Sequence, residues 1–159
     1  MVTIGITGHR GLTADIEDYV RREIRRILSA IPADQLTGVS CLADGADSIF
    51  AEVVLELGGR LSAVVPANAY RDGLPTSHRV SYDQLLDAAY RVQRLDFQDS
   101  TSEAHMEASR VIVNDADELI AVWDGEPARG YGGTADVITY ARLQGIPIRI
   151  VWPPNTKRD

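Results

Sequence analysis

The chain has 159 residues, of which 45% are hydrophobic and 25% are charged, and its formal net charge at pH 7 is −7. This composition is typical of one soluble globular domain and excludes a disordered chain. The negative charge argues against general nucleic-acid binding, because the neutralisation of phosphates requires a basic surface. The single cysteine, Cys41, excludes an internal disulfide and a cysteine-cluster zinc site, and no metal site is expected. No apolar run reaches the roughly 20 residues of a membrane span, so we expect a cytoplasmic protein that binds no membrane.

Short apolar runs that predict strands alternate along the chain with amphipathic patterns that predict helices. In the first half the predicted elements are a strand at Val2–Ile6, a helix from Thr13 to Pro32, a strand at Leu36–Leu42, a helix after residues 43–47 that ends at Gly58, and a strand at Leu61–Val65. In the second half they are a helix near Tyr82–Tyr90, a strand at Val92–Phe97, a helix from the cap Ser100 to about Val113, a strand at Glu118–Trp123, a helix at Thr134–Gln144 and a strand at Ile146–Trp152. This alternation predicts an α/β fold, a three-layer Rossmann-like sandwich with a mostly parallel sheet.

Four loops follow predicted strands at their carboxyl ends, where ligands bind in open parallel sheets. Their sequences are TGHRG (7–11), ADGAD (43–47), PANAYRDG (66–73) and WDGEPARGYGGT (123–134). In the last loop Gly132 and Gly133 precede Thr134 at the start of a helix, where backbone N–H groups and the helix dipole favour a phosphate. The alternative is that the glycine pair only forms a tight loop before the helix.

The first of these loops has glycines at positions 5, 8 and 11, which is not the GxGxxG dinucleotide fingerprint. No acidic residue ends the second strand where ribose recognition would require one, so an ordinary dehydrogenase is excluded. Gly8 could still bring the backbone close to a phosphate, and Arg10 could contact that phosphate through two hydrogen bonds. His9 could bind the ligand, act as an acid or base, or only cap the following helix.

Four segments together carry a resemblance to a known family. They are IGITGHR (4–10), GADSIFAEVVLELGG (45–59), ASRVIVNDADELIAVWDG (108–125) and GGTADVITYARLQGIPIRIV (132–151). This succession resembles the SLOG superfamily of Rossmann-like nucleotide-binding domains, which includes the LOG phosphoribohydrolases and the DNA-processing protein A domains. The resemblance implies one such domain at residues 1–153, followed by a loose tail at 154–159, and it implies a homo-oligomer. It also implies a nucleotide or nucleotide-derived ligand held by the first loop and the glycine-rich loop.

The chain departs from the LOG enzymes at two catalytic positions. Those enzymes carry PGGxGTxxE, and the position of the glutamate falls on Val137, whereas Asp136 points about 100° away around the helix. The arginine expected on the preceding helix falls near Ala108. Hydrolysis of a nucleotide is therefore the alternative function. Its candidate catalytic residues are Asp136, Glu126, Asp47 and His9.

We therefore expect a stand-alone protein that binds a nucleotide or a sugar phosphate in a cradle formed by the first strand–helix loop and the Gly-Gly-Thr loop. An N-glycosidase of the phosphoribohydrolase kind is the alternative, and an adaptor domain without a ligand is the second alternative. No cofactor is predicted apart from the nucleotide ligand. The expected ligand-binding residues are Gly8, His9, Arg10, Asp44, Gly45, Asp124, Gly125, Gly132, Gly133 and Thr134. His105 is expected at the surface of its helix or in an interface, and the apolar side of this helix could serve a homodimer.

Overall fold

Six parallel strands form one sheet in the computed structural model, which describes residues 1–158. The strands are β1 (Val2–Gly8), β2 (Leu36–Ser40), β3 (Arg60–Ala67), β4 (Arg91–Phe97), β5 (Glu118–Val122) and β6 (Ile148–Val151). Their order across the sheet is β4-β3-β2-β1-β5-β6, and every neighbouring pair is parallel. The strand order reverses at β1, which has β2 on one side and β5 on the other. The predicted Rossmann-like fold is confirmed, and this sheet is entirely parallel.

Five α-helices flank the sheet, which confirms the predicted sandwich. They are α1 (Ala14–Leu28), α2 (Ala46–Glu56), α3 (Arg79–Ala88), α4 (Ser102–Asp115) and α5 (Thr134–Gln144). Helix α1 packs on α2, and α4 packs on α5. On β5, Ile120 and Val122 join the core cluster of α1 and α2, whereas Leu119 joins the cluster of α4 and α5. Successive side chains of a strand point to opposite faces, so β5 is buried on both.

The arginine-rich face of α1 is its outer face, as the sequence predicts. Ile16, Val20 and Ile24 of this helix are buried. On the opposite side, Arg21 pairs with Glu52 of α2 at 2.6 Å, and Arg25 pairs with Glu56. Exposed ion pairs of this kind add at most about 1 kcal/mol each, so the buried face is the main source of stability.

Several predicted boundaries differ from the observed ones for local reasons. Pro66 lies inside β3, where the register with β4 shifts, and a strand tolerates a proline at such an irregularity. The cap of α4 is Thr101 and not Ser100, because Thr101 Oγ1 accepts the backbone N–H of Ala104 at 3.1 Å. Strand β6 begins at Ile148, two residues later than predicted.

The apolar side of α4 is buried in the core of the same chain. Its buried residues are Ala104, Met106, Ala108, Ile112 and Val113. The expectation that this side serves a homodimer is therefore wrong, and a homo-oligomer stays a prediction that would use another surface. Within residues 1–158, no helix is both long and apolar enough to cross a membrane.

Gly38 on β2 allows α2 to approach the sheet closely. A Cβ atom at this position would lie 2.6 Å from Val54 Cγ2 and 2.9 Å from Phe50 Cε1. We expect Gly38→Ala to lower the free energy of unfolding by about 1–3 kcal/mol, because overpacking forces the helix away from the strand. Urea denaturation measures the change. The control is Gly130→Ala, since a Cβ atom there meets nothing within 4 Å. Equal stability of the two variants would contradict the prediction.

Candidate functional site

A cavity of about 220 Å³ lies at the carboxyl ends of the central strands. All four predicted loops contribute to its wall. The end of β1 with its loop and the start of α5 with its loop contribute Gly8, His9, Arg10, Gly132, Gly133 and Thr134. The first turn of α2 contributes Asp47, and the loop after β3 contributes Tyr70. The cavity therefore lies where the strand order reverses, which is the position that favours a ligand in open parallel sheets.

His9 connects the first loop to the elements around it. Its backbone N–H donates to the carbonyl of Val122 at 3.1 Å, and its carbonyl accepts the N–H of Ala46 at 3.2 Å. Its ring Nε2 lies 3.1 Å from both the backbone nitrogen and a carboxylate oxygen of Asp124. Its Nδ1 lies 3.3 Å from Thr134 Oγ1. His9 therefore joins the ends of β1 and β5 to the starts of α2 and α5.

The electrostatic environment favours the neutral form of the His9 ring. Burial lowers the pKa of His9, the charge of Arg158 lowers it further, and Asp124 opposes the shift. A neutral ring can accept the Asp124 N–H at Nε2 and donate from Nδ1 to Thr134 Oγ1. These contacts make His9 a residue that positions the two loops.

Gly8 and Gly45 allow the loops after β1 and β2 to pack closely. A Cβ atom at Gly8 would lie 2.5 Å from Ala46 Cβ and 2.7 Å from Val122 Cβ. Gly45 has a φ of +85°, and a Cβ atom there would lie 2.6 Å from the carbonyl oxygen of His9. Packing alone therefore explains the absence of side chains at both positions.

The start of α5 presents two backbone donors to the cavity, the N–H groups of Thr134 and Ala135, and not those of the glycines before them. The N–H of Gly132 donates to Asp136 Oδ2 at 2.9 Å, and the N–H of Gly133 donates to the carbonyl of Gly130 at 3.2 Å. The donors of both glycines are thus used within the loop. Thr134 and Ala135 follow in the first helical turn and line the cavity, and their N–H groups have no acceptor within residues 1–158.

Three arginines line the cavity although the chain is acidic overall. Arg10 Nε and Nη2 both lie 2.8 Å from Asp44 Oδ1, so an ion pair holds this side chain at the cavity edge. Burial and the charge of Arg129 both lower the pKa of Arg158. Two guanidinium groups close to one another create a local positive potential, which favours an anionic ligand.

The C-terminal segment turns back toward the cavity. The ring of Trp152 meets the ring of His9 edge to face, with 5.4 Å between the ring centroids. Trp152 Nε1 donates to the carbonyl of Thr156 at 2.9 Å. Arg158, two residues further on, lines the cavity. Part of the segment after the sheet therefore contributes to the candidate site.

Asp47, Tyr70 and His105 form a second polar group in the cavity wall. Burial raises the pKa of Asp47 to about 7, although a backbone hydrogen bond and the charge of Arg10 oppose the shift. The rings of Tyr70 and His105 meet edge to face with centroids 5.7 Å apart, and burial lowers the pKa of His105. Tyr70 is only 4% exposed, and its hydroxyl makes no hydrogen bond to the described residues.

Several expected site residues surround the cavity without lining it. Asp44 pairs with Arg10, and Gly45 packs on His9, as described above. The Asp124 carboxylate contacts the His9 ring and accepts the N–H of Glu126 at 3.0 Å. Both contacts hold it in the turn at residues 124–126, outside the cavity wall. Gly125, with a φ of +87°, forms the turn itself. Among the candidate catalytic carboxylates, Asp47 and Glu126 line the cavity, whereas Asp136 contacts Gly132.

Sequence reasoning missed Tyr70, His105 and Arg158 as cavity residues. The expectation that His105 lies at the surface is wrong, because it shares a cavity-lining face of α4 with Ser109 and Ile112. The spacing of these three residues places them on one face of the helix. A face with two polar residues and one apolar residue was the sequence signal that could have placed His105 at the cavity. Nothing in the sequence of the tail indicates the position of Arg158. Within residues 1–158, no group of three or more His, Cys, Asp or Glu side chains could hold a metal ion.

The sequence matches no protein-family model and no curated protein. The fold, in contrast, is similar to solved structures of DNA processing protein A. The Helicobacter pylori protein has a TM-score of 0.71 and 16% identity over 99% of this chain and 68% of that chain. The Streptococcus pneumoniae protein has a TM-score of 0.68 and 17% identity over 94% of this chain. The present chain covers only 50% of that second protein.

A molybdenum cofactor carrier protein is also similar in fold. The protein from Chlamydomonas reinhardtii has a TM-score of 0.60 and 16% identity over 94% of this chain and 75% of that chain. DNA-processing protein A is one of the proteins named in the resemblance to the SLOG superfamily. The comparisons therefore confirm that resemblance in its fold, a Rossmann-like domain of the kind found in DNA processing protein A and in the molybdenum cofactor carrier.

Proposed function

We propose that this protein binds a nucleotide or a nucleotide-derived ligand in the cavity at the carboxyl ends of β1 and β5. The observation that carries the proposal is that the cavity combines three arginines with the two backbone donors at the start of α5. Guanidinium groups and helix N-termini are the groups with which proteins bind phosphate. The ligand would be a small molecule, because a net charge of −7 disfavours binding along a nucleic acid.

In this proposal the phosphate contacts the N–H groups of Thr134 and Ala135 and the guanidinium of Arg158. Gly132 and Gly133 shape the loop and do not donate to the phosphate, since their N–H groups already have acceptors. His9 holds Thr134 in place through its Nδ1 contact. The proposed cradle therefore consists of the first loop and the Gly-Gly-Thr loop, with its backbone donors at the two positions that follow the glycines.

The names of the structural neighbours are consistent with a small-molecule ligand. One neighbour is a molybdenum cofactor carrier protein, whereas the Helicobacter pylori neighbour is described with a single-stranded DNA binding mode. Of these two kinds of ligand, the acidic composition of this chain favours the small molecule.

A nucleotide N-glycosidase is the second candidate function, and Asp47 is the observation that favours it. A carboxyl group with a pKa of about 7 in a cavity wall can both donate and accept a proton near neutral pH. The hydrolase would release a free base from the nucleotide, whereas a binding protein would return it intact.

One experiment separates these functions. The thermal unfolding midpoint of the full chain is measured with nucleoside monophosphates and with ribose 5-phosphate, and the ligands are then recovered and analysed by mass spectrometry. A raised midpoint with intact ligand supports the binding protein. A released free base supports the N-glycosidase. An unchanged midpoint with all of these compounds would overturn both functions and favour an adaptor domain without a ligand.

Arg158→Ala is expected to weaken the binding of a nucleoside monophosphate by about 10–100-fold, because a hydrogen bond to a charged group contributes about 1.5–3 kcal/mol. Isothermal titration calorimetry measures the dissociation constant. The matched control is Arg149→Ala, since Arg149 pairs with Glu118 at 2.5 Å on β6 and does not line the cavity. Equal affinities of the two variants would remove Arg158 from the proposed site.

A further inference from the structure

We infer that Asp47, Tyr70 and His105 form a subsite for the base of the ligand, and that this subsite prefers a base edge with an amino group beside a ring nitrogen acceptor. Adenine and cytosine have such an edge, whereas guanine presents two neighbouring donors. The inference rests on the proposed function and assigns the second part of the same cavity.

The sheet order separates this subsite from the proposed phosphate contacts. Asp47 and Tyr70 follow β2 and β3, whereas Arg158 follows β6 on the other side of β1. The segment after β6 turns back toward His9 at the end of β1, which is two strand spacings, about 10 Å, from β3. The start of α5 contacts His9 at the end of β1. A phosphate bound at that point leaves the ends of β2 and β3 to the rest of the ligand.

The subsite contains a polar group that lacks a partner among the described residues. Tyr70 lines the cavity, and its hydroxyl has no hydrogen-bond partner within residues 1–158 but is not fully enclosed, so a ligand in the cavity can bond to it. Tyr70 and His105 also present aromatic surface to the cavity, and bases pack favourably on such surface. A nitrogen heterocycle would satisfy both needs, because it has a flat apolar face and a polar edge.

Asp47 can read the polar edge of the base in two different ways. A neutral carboxyl has one donor and one acceptor, which match the ring nitrogen and the amino group of adenine or cytosine. An ionised carboxylate only accepts, which matches the two donors of guanine. Burial raises the pKa of Asp47 to about 7, so both forms are populated near neutral pH.

The other groups around Asp47 do not change charge between pH 6.5 and pH 8, and the variant Asp47→Asn separates the effect of Asp47 from that of His105 at pH 6. Burial raises the pKa of Cys41 and of Tyr70, and both stay neutral. Burial lowers the pKa of His105, which also stays neutral. The charged groups that influence Asp47 are Arg10 from the loop after β1 and Asp44 from its own loop, and these two form an ion pair.

The test compares the affinities of AMP, GMP and ribose 5-phosphate for the full chain at pH 6, 7 and 8, measured by calorimetry. Ribose 5-phosphate lacks a base but has the same phosphate group. Dividing the affinity of each nucleotide by that of ribose 5-phosphate therefore cancels the effect of phosphate ionisation on binding. With a pKa of about 7, the neutral fraction of Asp47 falls from about 0.9 at pH 6 to about 0.1 at pH 8. We therefore expect the ratio of AMP to ribose 5-phosphate affinity to fall about tenfold from pH 6 to pH 8. The corresponding ratio for GMP is expected to rise.

Asp47→Asn isolates the contribution of this carboxyl group. The amide has a donor and an acceptor like the neutral carboxyl. The ratio of AMP to ribose 5-phosphate affinity is therefore expected to stay constant from pH 6 to pH 8 in this variant. Asp72→Asn is the matched control, because Asp72 is exposed in the loop after β3 and does not line the cavity. This control is expected to keep the tenfold change. Binding of ribose 5-phosphate by both variants shows that they are folded.

Two results would overturn the inference while the proposed function stands. One is an AMP ratio that does not change with pH in the native protein, and the other is a pH profile that Asp47→Asn leaves unchanged. In both cases ribose 5-phosphate still binds. If neither AMP nor ribose 5-phosphate binds at any pH, the proposed function fails and the inference fails with it.

Discussion

Asp47→Asn is expected to raise the free energy of unfolding of the protein without ligand by about 4 kcal/mol at pH 8. Burial raises the pKa of this carboxyl from 3.8 to about 7 in the folded protein. The folded state therefore binds the proton more tightly than the unfolded state, and the stability of the native protein falls as the pH rises from about 4 through 7. Each pKa unit corresponds to about 1.4 kcal/mol. Asparagine carries no charge and avoids this cost, which urea denaturation at several pH values measures.

The pH dependence of this difference is the control. At pH 5 the native carboxyl is mostly neutral in the folded protein, so the expected advantage of Asp47→Asn shrinks to about 2 kcal/mol. Asp72→Asn should show neither effect, because Asp72 is exposed. A difference that is the same at pH 5 and pH 8, or a variant that is less stable at pH 8, would contradict the raised pKa. A carboxyl group that costs stability at neutral pH is typical of a functional site.

His9→Ala is expected to lower the free energy of unfolding by about 2–4 kcal/mol and to abolish stabilisation by the ligand. The truncation leaves the Asp124 N–H without its acceptor, which costs about 1–3 kcal/mol, and it opens a space beside Trp152. Thr134 also loses its contact with Nδ1, so the start of α5 is no longer held against β1. Urea denaturation measures the first effect, and the shift of the thermal midpoint with AMP measures the second.

His78→Ala is the comparison for this variant. His78 is half-buried, and its Nε2 forms a hydrogen bond with the carbonyl oxygen of Leu42 at 2.9 Å. It does not line the cavity. We therefore expect a smaller loss of stability and an unchanged response to AMP. A His9→Ala protein as stable as the native one would show that the ring does not connect the two loops.

The sequence was sufficient to predict the fold, because strands that are buried on both faces are apolar along most of their length. Val2–Ile6 and Glu118–Trp123 show this pattern, and their carboxyl ends meet at one edge of a parallel sheet whatever their exact limits. The location of the cavity followed from the same topology. Which loop residues face the cavity did not follow, because that depends on side-chain packing between elements far apart in the sequence.

Helix α4 shows where sequence reasoning was insufficient. His105 is polar and follows a helix cap, which favours an exposed position, but the crossing of α4 over the sheet turns it toward Tyr70. The two glycines before α5 show a different difficulty. Their spacing predicts donors for a phosphate, yet the carboxylate of Asp136 and the carbonyl of Gly130 accept their N–H groups. Both outcomes depend on contacts that are formed only in the folded chain.

The cavity combines residues from opposite ends of the chain, and this has a consequence for biosynthesis. His9 and Thr134 are in contact although they are 125 positions apart, and Arg158 completes the wall. On a ribosome β1 emerges before its partner strand β5 and before helix α5. A ligand bound as proposed would therefore not assist the first half during synthesis, and it would stabilise only molecules in which β5 and α5 have joined the sheet. Ligand binding would thus distinguish folded domains that contain β5 and α5 from fragments that lack them.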